Sequence, residues 1–554
     1  MPFDPIKPCD PPFDINDSKS PFFTALDLLE IIAQSNSGTA PLPKMLALES
    51  NMSHRADGMI PFLHINPTPD GQTLVGHQFG YRFLPSFTNA LYALLTRVLA
   101  VPAVAFPVVF PNDLRDEAWF TPMPVPPVTA PASIEEYIAN LKPHQRLRIL
   151  RAILDMKFTL KFSNSTQAFA KSDELLFKKK PRIIWNVPAG FQAALGPMVR
   201  VMTNYLKENI ANGTKIFTVA PNRFNGFQTR HYTLAFACGM VSADLDIWFN
   251  ESIRLISSGI IDWAGIFMGD DTFILYRDPD DDIIKCKECD YSSYDSTQRD
   301  AAQVFLRNIY RSWGVPQWAL DLFKKMAEAP LKVVYGRDKQ FKFKIKLSTP
   351  QTATGKPDTC LGNTLLNMHA TIHVMEYGYQ YEDFGFVAKL KHHNTAWRNH
   401  FGTFLKGAWI LDCNRVYRWC PLLGGVMKLL KSFTPVKSLE VGLKQNLSSV
   451  GPVSTPLYRT LIERFAPSNY TKPITDYKIF ATSTPDIPAA YWRTFINYRY
   501  GEGVYEAVVS LEAKLKTVSL GDYLYDPLWE RLALVDYGDG VEDSVKDISF
   551  ISFL

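Results

Sequence analysis

The sequence predicts a mixed α/β chain of the α+β kind, built round an antiparallel sheet, and three observations carry that reading. Short β-rich runs at 264–268, 272–276 and 283–289 follow one another across two turn clusters. Helical stretches lie before and after these runs and not between them, so the runs can follow one another as an antiparallel meander. At 554 residues, 46% of them hydrophobic, the chain exceeds one core and buries enough apolar surface for several subdomains.

In chain order, residues 1–120 are rich in proline and turn formers, with one helix expected at 86–99. Thr121-Pro122-Met123-Pro124-Val125-Pro126-Pro127-Val128-Thr129-Ala130-Pro131-Ala132 is a stiff extended segment, read as a strap across the surface in preference to a signalling ligand. Ser133-x-x-Glu136 is a capping box, from which one helix is expected to run to about residue 156. The apolar run 264–268 suits a buried strand, and Gly269-Asp270-Asp271 a tight turn in which glycine supplies the unusual backbone angle. Residues 272–276 return. Arg277-Asp278-Pro279-Asp280-Asp281-Asp282 turns again, and 283–289 run back as a third strand. Strands of similar length rise about 3.3 Å per residue, so this meander returns Asp290 to the level of Asp270.

Residues 296–328 read as two helices broken at Gly314-Val315-Pro316, and 331–335 with 341–347 as a hairpin across Gly336-Arg337-Asp338-Lys339. Lys342, Lys344 and Lys346 alternate along its second strand and give it one polar face. An apolar helix spans 361–374, and helices with loops, including 439–447 and 505–515, fill the chain beyond 421. The sequence shows no internal repeat.

The formal charge of +4 fits a local basic channel and excludes a histone-like coat of charge. The apolar run 98–110 is shorter than the roughly 20 residues of a membrane span and holds Pro102 and Pro107, and the chain starts without a signal pattern, so a soluble protein with no intrinsic membrane span is expected. Seven scattered cysteines suit a reducing compartment. Cys286-x-x-Cys289 lacks a second pair for zinc, because Cys413 and Cys420 are badly spaced.

A lone Gly-Asp-Asp is usually a solvated turn, an isolated lysine run usually a solvated loop, and the 278–282 acidic cluster reads as a solvated turn as well. The combination carries more weight. Gly269-Asp270-Asp271 precedes Asp290-Tyr291-Ser292-Ser293-Tyr294-Asp295, which precedes Thr354-Gly355-Lys356-Pro357-Asp358-Thr359-Cys360-Leu361-Gly362-Asn363-Thr364. These strings resemble motifs C, A and B of viral RNA-dependent RNA polymerases. The usual order there is A, B, C; the order here resembles the permuted polymerases of permutotetraviruses and, more distantly, of birnaviruses. Gly-Asp-Asp in place of Ala-Asp-Asn favours the former. Upstream, Lys171-Ser172-Asp173-Glu174-Leu175-Leu176-Phe177-Lys178-Lys179-Lys180-Pro181-Arg182-Ile183-Ile184 resembles motif F. Downstream, Gly385-Phe386-Val387-Ala388-Lys389-Leu390-Lys391 resembles motif D, and Phe404-Leu405-Lys406-Gly407 resembles motif E.

The resemblance implies a right hand: an N-terminal extension and fingertip strap at 1–130, fingers at 131–244, palm with motifs C and A at 245–300, palm helices and a fingers hairpin at 301–348, palm with motifs B, D and E at 349–415, and thumb at 416–554. It implies copying of viral genomic RNA from NTPs by two-metal nucleotidyl transfer, with two Mg2+ ions, or Mn2+ in their place, on Asp270, Asp271 and Asp290. Lys171, Lys178, Lys180 and Arg182 would meet the triphosphate, since lysine offers point charges and arginine a planar fork for phosphate oxygens. Asp295 and Asn363 would sense the ribose 2′-hydroxyl, with Gly355 and Thr359 in the same nucleotide-binding set and Thr359 buttressing the asparagine. Lys389 or Lys391 would protonate the leaving pyrophosphate; Leu405 and Lys406 would support the primer strand. The implied partners are template and nascent RNA, NTPs and other viral replication proteins, at a replication complex in the host cytoplasm or in the virion. Two rival readings remain: a catalytically silent RNA-binding or scaffold protein, opposed by the intact aspartates, and a reverse transcriptase, opposed by Asp295 and Asn363.

Overall fold

The computed structural model describes residues 114–129, 134–141, 143–159, 166–170, 182–329, 331–335, 341–345, 354–394, 399–428, 455–460, 486–517 and 526–537, with 90, 93, 94, 97, 98, 110, 111, 351 and 352. Lys171, Lys178, Lys180, Lys346 and the helix expected at 439–447 lie outside the described residues. Of the helix expected at 86–99, Ala90, Ala93 and Leu94 are described, helical and buried.

A short helix, Ile134–Ala139, precedes α1 (Pro143–Thr159), β1 (Thr166–Ala170), β2 (Ile183–Asn186), α2 (Ala189–Tyr205), β3 (Asn212–Val219), β4 (Arg230–Phe236), α3 (Ser242–Ser257), β5 (Trp263–Met268), β6 (Asp271–Arg277), β7 (Ile284–Tyr291), α4 (Asp300–Ser312) and α5 (Gln317–Glu328). Then come β8 (Leu331–Tyr335), β9 (Phe341–Ile345), α6 (Thr359–Tyr377), β10 (Ala388–Asn394), β11 (His400–Phe404), β12 (Gly407–Leu411), β13 (Tyr417–Pro421), α7 (Ala489–Tyr500), α8 (Val504–Thr517) and α9 (Leu528–Tyr537). The single helix expected from Ser133 to about residue 156 is two: Pro143 lacks an N–H and bars its predecessor from helical angles, so it starts a helix and cannot continue one.

The central sheet has the order β10-β7-β6-β5-β4-β3 and is antiparallel except where β4 and β5 run parallel through the α3 crossover. The expected meander forms its middle. A second sheet, β2-β1-β8-β9, contains the expected 331–345 hairpin, and β11-β12-β13 make a third. Strand side chains alternate between faces, so the central sheet serves two cores. One face packs Tyr232, Trp263, Phe267 and Ile274 beneath α6, with Tyr232 stacked on Trp263 at 4.6 Å. The other packs Phe273 and Leu275 against α3 and the third sheet, with Phe249 stacked on Trp409 at 4.6 Å. Cys286 and Cys289 fall into these two different cores, on opposite faces, and cannot grip one ion.

Residues 121–129 lie along α2 and α4: the Trp313 indole donates to the Thr121 carbonyl (3.0 Å) and the Tyr205 hydroxyl to that of Pro122 (2.8 Å). The acidic turn after β6 is partly neutralised within itself, because Lys285 bridges Asp278 (2.7 Å) and Asp281 (2.6 Å) and Arg277 meets Asp282 (2.9 Å).

Candidate active site

The β5–β6 turn is Gly269-Asp270, with Gly269 at φ +64°, a left-handed angle glycine adopts without strain. Register then aligns the acids. Met268 pairs with Asp271, Thr272 with Cys289, and Lys389 with Asp290. One step along the β6–β7 register sets Asp271 beside Asp290, so Met268, Asp271, Asp290 and Lys389 form one row across four strands. Lys391 stands opposite Glu288, two residues along on the same face.

The electrostatics match that crowding. Protein packed around the turn, and then the Asp290 carboxylate, hold Asp270 above the ordinary carboxylate range, while Arg182 and Lys406 pull it down. Asp271 is pushed up to about 7, first by burial and then by Asp270, with Lys406 opposing. Asp270 and Asp290 are nevertheless exposed, so solvent reaches carboxylates that repel one another. Such a set fits divalent cations, whose charge relieves the repulsion. Both motif D lysines are exposed; surrounding protein draws the Lys391 ammonium below its usual value, with Glu288 opposing.

Helix α6 fastens the turn. The Gly269 N–H donates to Thr364 Oγ1 (2.9 Å) and its carbonyl accepts from Asn367 Nδ2 (3.0 Å). Asn367 Oδ1 accepts from Thr272 (2.7 Å) and from the Tyr291 hydroxyl (2.8 Å), the residues directly after Asp271 and Asp290. One buried amide thus ties both acid-bearing strands to the helix. Sequence reasoning did not single out Asn367. Its signal was the stripe Asn363, Asn367, Thr371 at four-residue spacing along one helix face.

Asn363 Nδ2 donates to Asp295 (2.8 Å), and its Oδ1 accepts from Gln298 (2.9 Å). Burial pushes Asp295 up to about 6, with the Asn363 amide opposing. The pair belongs to a longer buried chain. Gln298 Oε1 accepts from Thr352, whose hydroxyl also meets Gln303 (2.6 Å), and Gln303 in turn accepts from the buried Lys356 ammonium (3.2 Å). Thr359 was expected to buttress Asn363. Its hydroxyl donates to the Lys356 carbonyl (3.0 Å), and Gln298 holds the asparagine oxygen. Gly355 abuts the Trp185 carbonyl on β2 so closely that no Cβ fits, which seats the 354–358 loop against the strand that follows Arg182. Arg182 is exposed, and its charge acts on Asp270.

Leu405 and Lys406 form the two-residue β11–β12 turn with φ of +52° and +61°, the type I′ signature, in which non-glycine residues carry strain. Glu288 holds this hairpin against the central sheet by accepting from the Thr403 N–H and from its hydroxyl (2.9 Å). Lys406 thereby acts on both Asp270 and Asp271.

Residues 264–388 match the family model described as RNA dependent RNA polymerase. The chain is an RNA-directed RNA polymerase. It is a nucleotidyltransferase of viral RNA replication, with an RNA template and NTPs as substrates, and enzymes of this class use divalent metal ions. The matched span contains all three strings, from the Gly-Asp-Asp turn to the first half of the α6 region and on to β10. No curated protein matches the chain. Among the described residues no helix is long and apolar enough to cross a membrane.

Proposed function

We propose that this polymerase works with a permuted palm of the C-A-B order, of permutotetravirus type, and copies viral genomic RNA through divalent cations held by Asp270 and Asp290 with Asp271 beside them. The observation that carries the reading is the β5–β6–β7 register, which brings the Gly-Asp-Asp turn and Asp290 to one end of one sheet. Asp270, Asp271 and Asp290 would hold magnesium or manganese ions, which would supply Lewis-acid activation of the attacking 3′-hydroxyl and positive charge for the leaving phosphate. The chain's own groups do the rest. Arg182, with Lys171, Lys178 and Lys180 upstream, neutralises and orients the triphosphate. Asp295 and Asn363 offer an acceptor and a donor to a ribose 2′-hydroxyl, and Gly355 keeps the 354–358 loop that leads into α6 against β2. Lys389, in the same row as Asp290, and Lys391, with its lowered ammonium, are the candidate donors of a proton to pyrophosphate. The rigid turn at Leu405 and Lys406 supports the primer end. The setting is a host-cell replication complex that includes other viral replication proteins.

Primer extension on an RNA template, with ribonucleotides or deoxyribonucleotides and with or without Mg2+ or Mn2+, tests this. Metal-dependent ribonucleotide incorporation is expected. A scaffold protein incorporates nothing, and a reverse transcriptase prefers deoxyribonucleotides; either result overturns the proposal.

A further inference from the structure

Two turns beyond Asn363, helix α6 carries a second set of buried groups that the polymerase chemistry does not use. His369 and His373 are four residues apart on one helix face, with ring centroids 4.3 Å apart. Glu117, 256 residues before His373 in sequence, comes in from the N-terminal segment. Its two carboxylate oxygens each lie 3.1 Å from His373 Nε2, and Oε2 lies 3.7 Å from His369 Nδ1. One ligand atom from each residue falls within 4.8 Å of the others.

An ion pair between Glu117 and His373 explains only part of this. His369 is 0% exposed, and neither of its ring nitrogens has a hydrogen-bond partner; His373 Nδ1 lacks one too. Orphaned buried polar atoms cost free energy, and a group that leaves three of them in one place calls for a missing partner. Burial and the neighbouring His373 hold His369 well below the usual histidine range, so its ring is neutral and offers a lone pair. Two imidazoles and one carboxylate are a donor set for zinc, whereas magnesium and calcium take oxygen. Zinc at about 2.0–2.1 Å from its ligands spaces them by about 3.3 Å in a tetrahedron, so a small inward turn of the rings closes the set. The Trp119 indole already donates to Glu117 Oε2 (3.2 Å), which orients the carboxylate as outer-sphere partners do.

We propose that Glu117, His369 and His373 bind one zinc ion, with water as the fourth ligand on the 15%-exposed His373 side. The ion is structural. It staples the N-terminal segment to the helix whose first half grips the Gly-Asp-Asp turn. Binding to the folded state alone raises stability by mass action.

The test uses the full chain, stripped with a chelator and then exposed to zinc chloride alone. Elemental analysis after buffer exchange should find about one zinc per chain, and zinc should raise Tm by several degrees. His373→Gln and Glu117→Gln, which keep side-chain volume, should weaken retention at least tenfold and abolish the shift. Asp290→Asn should retain zinc, which separates this site from the catalytic acids. Cobalt(II) in place of zinc should give the strong visible bands of a four-coordinate ion without thiolate charge transfer; this reading does not depend on whether a variant folds. Failure of the wild-type chain to hold zinc, retention unchanged by both substitutions, loss on Asp290→Asn, or a weak six-coordinate cobalt spectrum would each overturn the proposal.

Discussion

The amide network in the first half of helix α6 and the histidine pair in its second half handle buried polar groups in opposite ways. In the first half, Asn363, Thr364 and Asn367 all find partners on neighbouring elements, and those partners are the strands and turns that carry the acids. In the second half, Thr371 meets the Tyr381 hydroxyl and Glu376 accepts from Trp263, but His369 and His373 leave three ring nitrogens without hydrogen bonds, with Glu117 beside them. Burial runs unbroken from Leu361 to Ile372 and returns at Glu376, so His369 lies as deep as Asn367. The difference teaches how each set gains order: the amides are organised by the chain itself, whereas the histidine pair has room for a partner. A satisfied amide network is rigid because breaking one bond strands several groups, whereas an orphaned imidazole pair contributes little until a ligand arrives.

The largest expected effect lies at the acids the first half holds. Asp290→Asn should reduce nucleotide incorporation on the order of 10³-fold or more while leaving Tm nearly unchanged. Near-normal incorporation by that variant would mean that the network supports a turn with no catalytic acid in it. Next is the network itself. Asn367→Ala strands the Thr272 and Tyr291 hydroxyls and frees Gly269, and should cost about 3 kcal/mol of stability with a clear drop in turnover. Thermal melts in chelator should then show a much larger loss for Asn367→Ala than for His373→Gln. Equal losses would break the contrast between the two halves.

A smaller effect is expected at the ribose contact. Asn363→Ala should narrow the preference for ribonucleotides over deoxyribonucleotides by about tenfold, since a site built to bond a hydroxyl rejects the sugar that lacks it. Competition between the two nucleotide types measures this, and an unchanged ratio removes Asn363 from the role.

The smallest effect is a pH slope. Asp295 is raised to about 6 in the folded chain, against about 4 when unfolded. The folded state therefore holds the proton more tightly. The stability this contributes is complete below about pH 4 and is lost as pH rises through about 6. Asp295→Asn should flatten that part of a Tm–pH curve, and an identical slope in the variant would show that the network is not titrating there.

Much of the palm was legible in the sequence because its signals are local. The three strands of the meander, the glycine turn and the proline-containing turn after Arg277 are each written within a few residues, and the lengths of the strands return Asp290 to the turn. The break at Gly314 follows from a backbone angle that glycine accepts. Pro143 held the same kind of local signal, and its chemistry decides that two helices form where the capping box alone suggested one.

What only the tertiary structure decided is pairing across long separations. Nothing near Lys389 states that β10 joins the edge of β7 and sets that lysine opposite Asp290. Asn367 is one more polar residue in a helix until two strands and a turn converge on it. Cys286 and Cys289 have a metal-like spacing, but strand alternation sends them to opposite faces; Glu117 and His373 have no spacing motif at all, yet meet at 3.1 Å. Periodicity and turn chemistry are properties of neighbouring residues and can be read along the chain. Convergence depends on which surfaces pack together, and that is fixed by the free energy of the whole fold.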